Sequence, residues 1–122
     1  MRMERDSGPG GPAVRGFTAG GFRVDDSVYA AVLLTPERAE AWTPPPLATL
    51  DLAAIEALLI PDLEFVLLGT GPVLVQPPRA LVSALDARGI GIEAMDSRAA
   101  ARAWGVLRSE GRQIAAALYP LD

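Results

Sequence analysis

Three residue types that often carry chemistry are missing from this 122-residue sequence: cysteine, histidine and lysine. Without cysteine and histidine there are no disulfides, no thiol nucleophiles, no Cys/His zinc sites and no imidazole-dependent triad. The absence of lysine also excludes a Walker A phosphate loop. We therefore expect no zinc and no cofactor. The composition favours a non-enzymatic protein, with an enzyme that works through carboxylates and arginines alone as the alternative.

Long apolar runs are missing too. Nowhere do about 18 uncharged apolar residues follow one another, as a transmembrane helix requires. The first sixteen residues, MRMERDSGPGGPAVRG, lack the apolar segment of a signal peptide. The net charge is only -4 and half of the residues are hydrophobic, which favours one packed core over nucleic-acid binding. We expect a cytoplasmic protein without membrane insertion.

The N-terminal part of the chain predicts an arm followed by a hairpin. Residues 1–13 have the Gly/Pro composition of a flexible linker, so we expect a disordered arm before a single domain over 14–122. Within 22–34, two apolar runs flank Asp25 and Asp26, residue types that favour tight turns. We interpret the acidic pair as turn formers of a β-hairpin rather than as metal ligands.

After the hairpin, helix and strand patterns alternate. Three prolines, Pro44, Pro45 and Pro46, first mark an extended connection. Helices are then predicted over 51–59, 78–88 and 97–110, and strands over 64–68, 90–95 and 113–119. This alternation predicts an α/β domain with a largely parallel sheet.

A glycine loop, Gly69-Thr70-Gly71, follows the predicted strand 64–68. Open α/β sheets place their ligands at such strand ends. Leu74 occupies the position of the third glycine of a dinucleotide fingerprint, so the motif is not a Rossmann signature. Two compatible interpretations remain: the glycines supply backbone freedom at a tight turn, or the loop contacts a ligand.

The helix that follows Asp96 has arginines where a cation is disfavoured. Arg98 and Arg102 form a like-charge pair in the N-terminal half of the helix, against the helix macrodipole. Asp96 as N-cap and counter-ion would offset this cost, and so would an anion bound at the helix N-terminus. The apolar stripe predicted to face the core is Ala99, Ala103, Val106 and Leu107.

The end of the same helix carries a carboxylate of unfavourable sign. Glu110 precedes Gly111, a predicted left-handed C-cap, and should have an arginine partner. Arg112 is the nearest in sequence, and Arg15 or Arg23 from the hairpin region is equally allowed. We interpret Glu110, Gly111 and Arg112 as a structural corner between the helix and the last strand.

Four short segments together resemble a small α/β family of MTH-domain type. They are GTG at 69–71, GIEAMDS at 91–97, AAAR at 99–102 and VLRSEGRQIAAAL at 106–118. The family is largely of unknown function, and its mitochondrial members include respiratory complex I assembly factor three. The resemblance implies a three-layer sandwich whose central mixed sheet ends in a strand antiparallel to its neighbours. Ala101 replaces a frequent cysteine of the family, which argues against thiol chemistry here.

Two functions are therefore to be compared. The first is a non-enzymatic accessory or assembly-factor-like protein, a monomer or weak homodimer that acts by binding a protein partner. The second is a site for a small anionic ligand or nucleotide, formed by the glycine loop, Asp96 and Arg102. An exposed apolar patch, for example at Trp42, the proline run or Tyr119, would favour the first function. Arg102 in a pocket beside the loop would favour the second.

Overall fold

The computed structural model describes residues 11–122, which form two β-sheets, two α-helices and two 3₁₀ segments. The strands are β1 Val14–Thr18, β2 Gly21–Val24, β3 Ser27–Tyr29, β4 Val32–Leu34, β5 Ala39–Ala41, β6 Phe65–Gly69, β7 Gly91–Met95 and β8 Ile114–Leu118. The helices are α1 Arg79–Asp86 and α2 Ser97–Ser109, and the 3₁₀ segments are Leu47–Thr49 and Ala53–Leu58. The expected single-domain α/β class is confirmed.

The predicted hairpin is present as strands β2 and β3. Val24 pairs with Ser27, which leaves Asp25 and Asp26 as a two-residue turn, and Asp25 has a positive φ of 50°. Such turns require this backbone conformation and favour Asp. The second apolar run of the predicted hairpin divides between the two sheets. Its first part is β3, in the three-stranded sheet β1-β2-β3, and its last part is β4, in the five-stranded sheet.

The central sheet is mixed, with the strand order β5-β4-β8-β6-β7. Strand β8 is antiparallel to β4 and parallel to β6. The expectation that the last strand is antiparallel to its neighbours therefore holds on one side and is wrong on the other. The reason is connectivity: α2 returns the chain to the end of the sheet where β7 began, so β8 must run in the same direction as β6 and β7.

The two faces of this sheet are covered by different layers. The three-stranded sheet and α2 cover one face, and α1 and the segment Ala53–Leu58 cover the other. Every residue of β8 is fully buried, and its side chains alternate between the two cores. Three of the five are alanines, Ala115, Ala116 and Ala117, whose small size lets both outer layers approach the strand.

Helix α2 is rotated relative to the sequence prediction. The residues that face the core are Ser97, Ala100, Ala101 and Trp104. The predicted stripe lies elsewhere: Val106 is 59% exposed, while Ala103 and Leu107 are only partly buried at the edge of the core. The prediction therefore holds only in part: Ala103 and Leu107 pack against the core, but both stripes consist largely of small or apolar residues, and the fully buried Trp104 ring decides which one lies at its centre.

Trp104 also binds the start of the described chain. Its Nε1 donates a hydrogen bond of 2.8 Å to the Pro12 carbonyl, and Pro12 is buried. Ala13 exchanges backbone and side-chain hydrogen bonds with Asp25. The predicted arm over 1–13 falls mainly outside the described residues, but residues 12 and 13 pack on the domain.

We therefore predict different effects for two N-terminal truncations. A chain that begins at Ala13 should be less stable than one that begins at Gly11 by about 1–3 kcal/mol, because the buried Trp104 N–H loses its acceptor. Urea unfolding of the two proteins measures this difference. Equal free energies of unfolding would show that the Pro12 carbonyl does not stabilise the domain.

Candidate functional site

The glycine loop lies where three parallel strands end together. Thr70 N donates to the Met95 carbonyl of β7, and Tyr119 N donates to the Gly69 carbonyl of β6, both at 2.9 Å. The loop is thus hydrogen-bonded to its neighbours on both sides of β6. These bonds use backbone groups that an open α/β sheet leaves free for a ligand.

Ser97, the first residue of α2, docks the helix onto this loop. Its fully buried hydroxyl accepts a hydrogen bond from Gly71 N and donates one to the Tyr119 carbonyl, each 2.8 Å long. Ser97 N in turn donates to the Gly71 carbonyl at 2.8 Å. Sequence reasoning missed this role, although Ser97 follows the capping Asp96 directly and belongs to the segment that carries the family resemblance.

The local structure requires glycine at both positions of the loop, 69 and 71. A Cβ on Gly69 would lie 2.8 Å from the Ser97 hydroxyl and 3.0 Å from the Ser97 Cα, closer than packing allows. Gly71 has a φ of 101°, a conformation that other residues rarely adopt. The glycines therefore permit close approach of α2 and a turn, which supports the first of the two interpretations of the loop.

The Thr70 side chain organises the residues that follow. Its hydroxyl donates to the Val73 carbonyl at 2.6 Å and accepts from Val75 N at 3.0 Å. Thr70 itself is 7% exposed. These hydrogen bonds fix the backbone of the loop, while Val73, Leu74 and Val75 are 62%, 54% and 45% exposed.

The two arginines of α2 have different surroundings. The Asp96 carboxylate accepts from Ala99 N at 2.9 Å, as expected of an N-cap. Arg98 lies over the Phe17 ring, 4.8 Å from its centroid, which is a cation–π contact. Arg102 is exposed, and its side chain makes no hydrogen bond or ion pair within residues 11–122. The structure thus joins the loop and Asp96, and it leaves Arg102 on the outer side of the helix.

The predicted corner has a different carboxylate from the one expected. Arg112 binds Glu64, with Nε at 2.9 Å and an Nη at 2.8 Å from the same oxygen, and Gln113 N donates to the other oxygen at 3.0 Å. The Arg112 hydrogen bond, assisted by that of Gln113 N, lowers the pKa of Glu64 below its usual value. Glu64 closes the corner between β6 and β8, and no sequence signal marked it as the partner of Arg112.

Glu110 ends α2 without the expected arginine. Its side chain is exposed and forms no ion pair with any described residue. Gly111 has the left-handed φ of 77°, and Arg112 N donates to the Leu107 carbonyl at 3.1 Å, which is the C-cap geometry that the sequence predicted. The glycine and Arg112 are structural, while Glu110 acts on Arg112 only through its charge, as a minor contribution, after Glu64, to the raised pKa of that guanidinium.

The aromatic residues near the proline run are engaged internally. The Trp42 and Tyr119 rings meet edge to face with centroids 5.1 Å apart. Tyr119 Oη donates to the Pro45 carbonyl at 2.8 Å and Trp42 Nε1 to the Ala54 carbonyl at 3.2 Å. Burial raises the pKa of Tyr119 to about 12. These contacts anchor the proline segment to the sheet. The large apolar residues that are exposed in succession within residues 11–122 are instead Val73, Leu74 and Val75.

Two kinds of feature are absent from the described part of the chain. Residues 11–122 contain no group of three or more carboxylates arranged to hold a metal ion. Over the same residues, no helix combines the length and apolar character needed to cross a membrane.

The buried serine and the exposed arginine of α2 should respond differently to truncation. Ser97→Ala leaves the buried Gly71 N–H and the Tyr119 carbonyl without a partner, so we expect a loss of about 1–3 kcal/mol. Arg102→Ala should change the free energy of unfolding by less than about 0.5 kcal/mol, because the side chain is exposed. Urea unfolding of both variants beside the parent checks this, and a loss for Arg102→Ala equal to that for Ser97→Ala would contradict it.

The Glu64–Arg112 pair predicts an acid dependence of stability. Because the folded-state pKa of Glu64 is lowered, its contribution is present above the ordinary value of 4.5 and is lost as the pH falls through the folded-state pKa. Glu64→Gln should therefore reduce the difference in urea midpoint between neutral and acidic solution. The matched control is Glu110→Gln, which should keep the parent's difference. A parent-like pH dependence in Glu64→Gln would count against the pair.

Comparisons with known proteins agree on one family. The family model for a protein of unknown function, DUF498/DUF598, matches residues 14–119. The chain is 36% identical over 109 residues to an uncharacterised protein of Rhodobacter capsulatus, covering 88% of this chain and 84% of that one. The resemblance noted in the sequence is thereby confirmed at the level of a small family without an established function.

Two solved structures have the same fold. A crystal structure of a Bordetella parapertussis protein aligns with a TM-score of 0.81 at 30% identity, over 89% of this chain and 95% of that one. A solution structure from Bordetella pertussis, described as a Mth938-like domain, aligns with a TM-score of 0.77 at 25% identity, over 99% and 93% of the two chains. The protein therefore belongs to the DUF498/DUF598 family and has the Mth938-like fold.

Proposed function

We propose that this protein is a non-enzymatic accessory protein, similar to an assembly factor, that binds another protein through the loop Val73-Leu74-Val75. The observation that carries the proposal is the exposure of these three consecutive apolar side chains, which are 62%, 54% and 45% accessible. Exposed apolar clusters on soluble domains typically mark interaction sites.

The clustering distinguishes this loop from the rest of the surface. The other large hydrophobic residues that the described chain exposes are single: Val28, Val82 and Val106. Isolated exposed apolar residues are ordinary and need no explanation. Val73, Leu74 and Val75 instead follow one another in the loop after strand β6, and burying their apolar side chains against a partner would be favourable.

The loop is also ordered in a way that suits binding. The Thr70 hydroxyl holds the Val73 carbonyl and Val75 N, so the backbone conformation is set before any partner arrives. Preorganisation of this kind reduces the entropy lost on association. A solvent-exposed loop of three apolar residues without such support would gain more by folding back onto the domain.

The alternative, a small anionic ligand at the glycine loop, has less support. The N–H groups of Thr70 and Gly71 already donate to Met95 and Ser97, and the first turn of α2 is capped by Asp96. Arg102 lies outside this arrangement on the exposed side of the helix. A ligand would have to displace these bonds before it could bind.

The class of partner follows from the family resemblance. The segments at 69–71 and 106–118 are similar to a family whose mitochondrial members include respiratory complex I assembly factor three. We propose by this analogy that the partner is a subunit of a membrane respiratory complex, bound in the cytoplasm before or during assembly. The fold alone does not imply this role, so the partner must be identified by experiment.

One pair of substitutions tests the loop. Leu74→Glu places a charge in the apolar loop, and Val28→Glu places the same charge at a site of nearly equal exposure, 54% against 52%, on the hairpin. We expect a protein retained by the parent from an extract of the native host to be lost with Leu74→Glu and kept with Val28→Glu. Quantitative mass spectrometry of the retained proteins gives the comparison.

Two outcomes would contradict the proposal. One is a retained partner that survives Leu74→Glu unchanged, which would place its binding surface elsewhere. The other is equal loss with both substitutions, which would indicate a general effect of negative charge. Circular dichroism and urea unfolding confirm that both variants are folded before binding is compared.

A further inference from the structure

The outer side of α2 carries a positive, an apolar and a negative side chain at four-residue spacing. These are Arg102, Val106 and Glu110, all exposed, with Val106 59% accessible. At about 100° and 1.5 Å per residue, the three fall within an arc of roughly 80°. Each charge lies about 6 Å along the helix axis from Val106, one on either side. The face is therefore symmetric in position and opposite in charge about Val106.

Neither charged side chain forms a salt bridge within the described chain. The two residues lie about 12 Å apart along the axis, roughly two helical turns, which is too far for an ion pair on a single helix. Arg102 and Glu110 make no side-chain hydrogen bond or ion pair within residues 11–122. Arg112, the nearest cation to Glu110 in sequence, is bound to Glu64. Both charges also oppose the helix macrodipole.

We propose that this face binds a second copy of the chain, with the two α2 helices antiparallel about a two-fold axis at Val106. The axis stacks Val106 on its symmetry mate. Arg102 then lies opposite the partner subunit's Glu110, and the same pair forms again on the other side of the axis. A two-fold interface of this kind uses one patch on both subunits.

The antiparallel arrangement also resolves the unfavourable placement of the two charges. The partner subunit's Glu110 comes beside the N-terminal half of this helix, where an anion is favourable, and Arg102 comes beside the partner's helix C-terminus. The charges that are adverse in one helix become complementary in two. A parallel pairing would instead place Arg102 beside Arg102 and Glu110 beside Glu110, which is repulsive.

The neighbouring side chains permit close contact. Ala99 and Ala103 lie on the same side of the helix as Val106, and short side chains allow axes to approach to about 8 Å. A contact between single helices is much smaller than the roughly 800 Å² per partner of a standard interface. We therefore expect a weak dimer, with a dissociation constant on the order of 0.1 mM. This surface differs from the Val73 to Val75 loop, so Leu74→Glu should leave dimerisation unchanged.

Charge reversal provides the first test. Sedimentation equilibrium of the full chain should show a monomer–dimer equilibrium that weakens with added salt. Arg102→Glu or Glu110→Arg alone creates a like-charge contact at each end and should weaken association about tenfold or more. The double variant, Arg102→Glu with Glu110→Arg, exchanges the two charges and should restore the association of the parent.

A cysteine at the axis provides the second test, because the chain has no cysteine of its own. Val106→Cys places two thiols face to face across the two-fold axis, within reach of an intersubunit disulfide. The matched control is Val82→Cys, at a 37% exposed position on α1. Under mild oxidation, the Val106→Cys dimer should form about tenfold faster than the Val82→Cys dimer.

Three results would overturn the proposal. They are a chain that remains monomeric up to about 1 mM, which exceeds the expected dissociation constant; a double charge reversal as weak as the single variants; and equal cross-linking rates at positions 106 and 82. Urea unfolding of each variant establishes that it is folded, and all the substituted side chains are exposed, so a loss of association reports on the interface.

Discussion

The docking of the first turn of α2 onto the glycine loop is the constraint on which the rest of the molecule depends. One buried hydroxyl, that of Ser97, satisfies Gly71 N and the Tyr119 carbonyl. It thereby joins the ends of β6 and β8 to the start of the helix that connects β7 with β8. Because buried polar groups are costly when unpaired, this point admits little variation in the position of the helix.

The same constraint accounts for the surface that the protein presents. The N–H groups of Thr70 and Gly71, which follow β6 directly, both donate within the domain, to the Met95 carbonyl and the Ser97 hydroxyl. After β6 the chain continues in a loop whose backbone is hydrogen-bonded to the Thr70 hydroxyl, and Val73, Leu74 and Val75 are exposed there. At this strand end, where α/β proteins often bind small molecules, the chain instead makes hydrogen bonds to itself.

The three sides of helix α2 have different surroundings. Its buried face, with Ala100, Ala101 and Trp104, fills the core between the sheets. One edge meets the hairpin sheet through the Arg98–Phe17 contact. The remaining side keeps Arg102 and Val106 exposed, which leaves a face that contributes nothing to the domain's own packing.

Much of the architecture could be predicted from the sequence, because it depends on local chemistry. The Asp25-Asp26 turn, the Asp96 N-cap and the Gly111 C-cap depend on residue types whose backbone and side-chain preferences act over a few positions. The order of helices and strands follows from hydrophobic periodicity, which is likewise a local property.

The tertiary structure alone decided the matters that depend on distant residues. The buried side of α2 could not be read from periodicity, since two stripes were apolar and only the packing of Trp104 against the sheets and Pro12 distinguishes them. The salt-bridge partner of Arg112 is Glu64, 48 positions away, rather than Glu110 on the other side of Gly111. The sequence determined which groups required partners, because burial and charge impose that need on each residue separately. Which groups met was determined by the fold, because only the chain's path brings residues distant in sequence within hydrogen-bond reach.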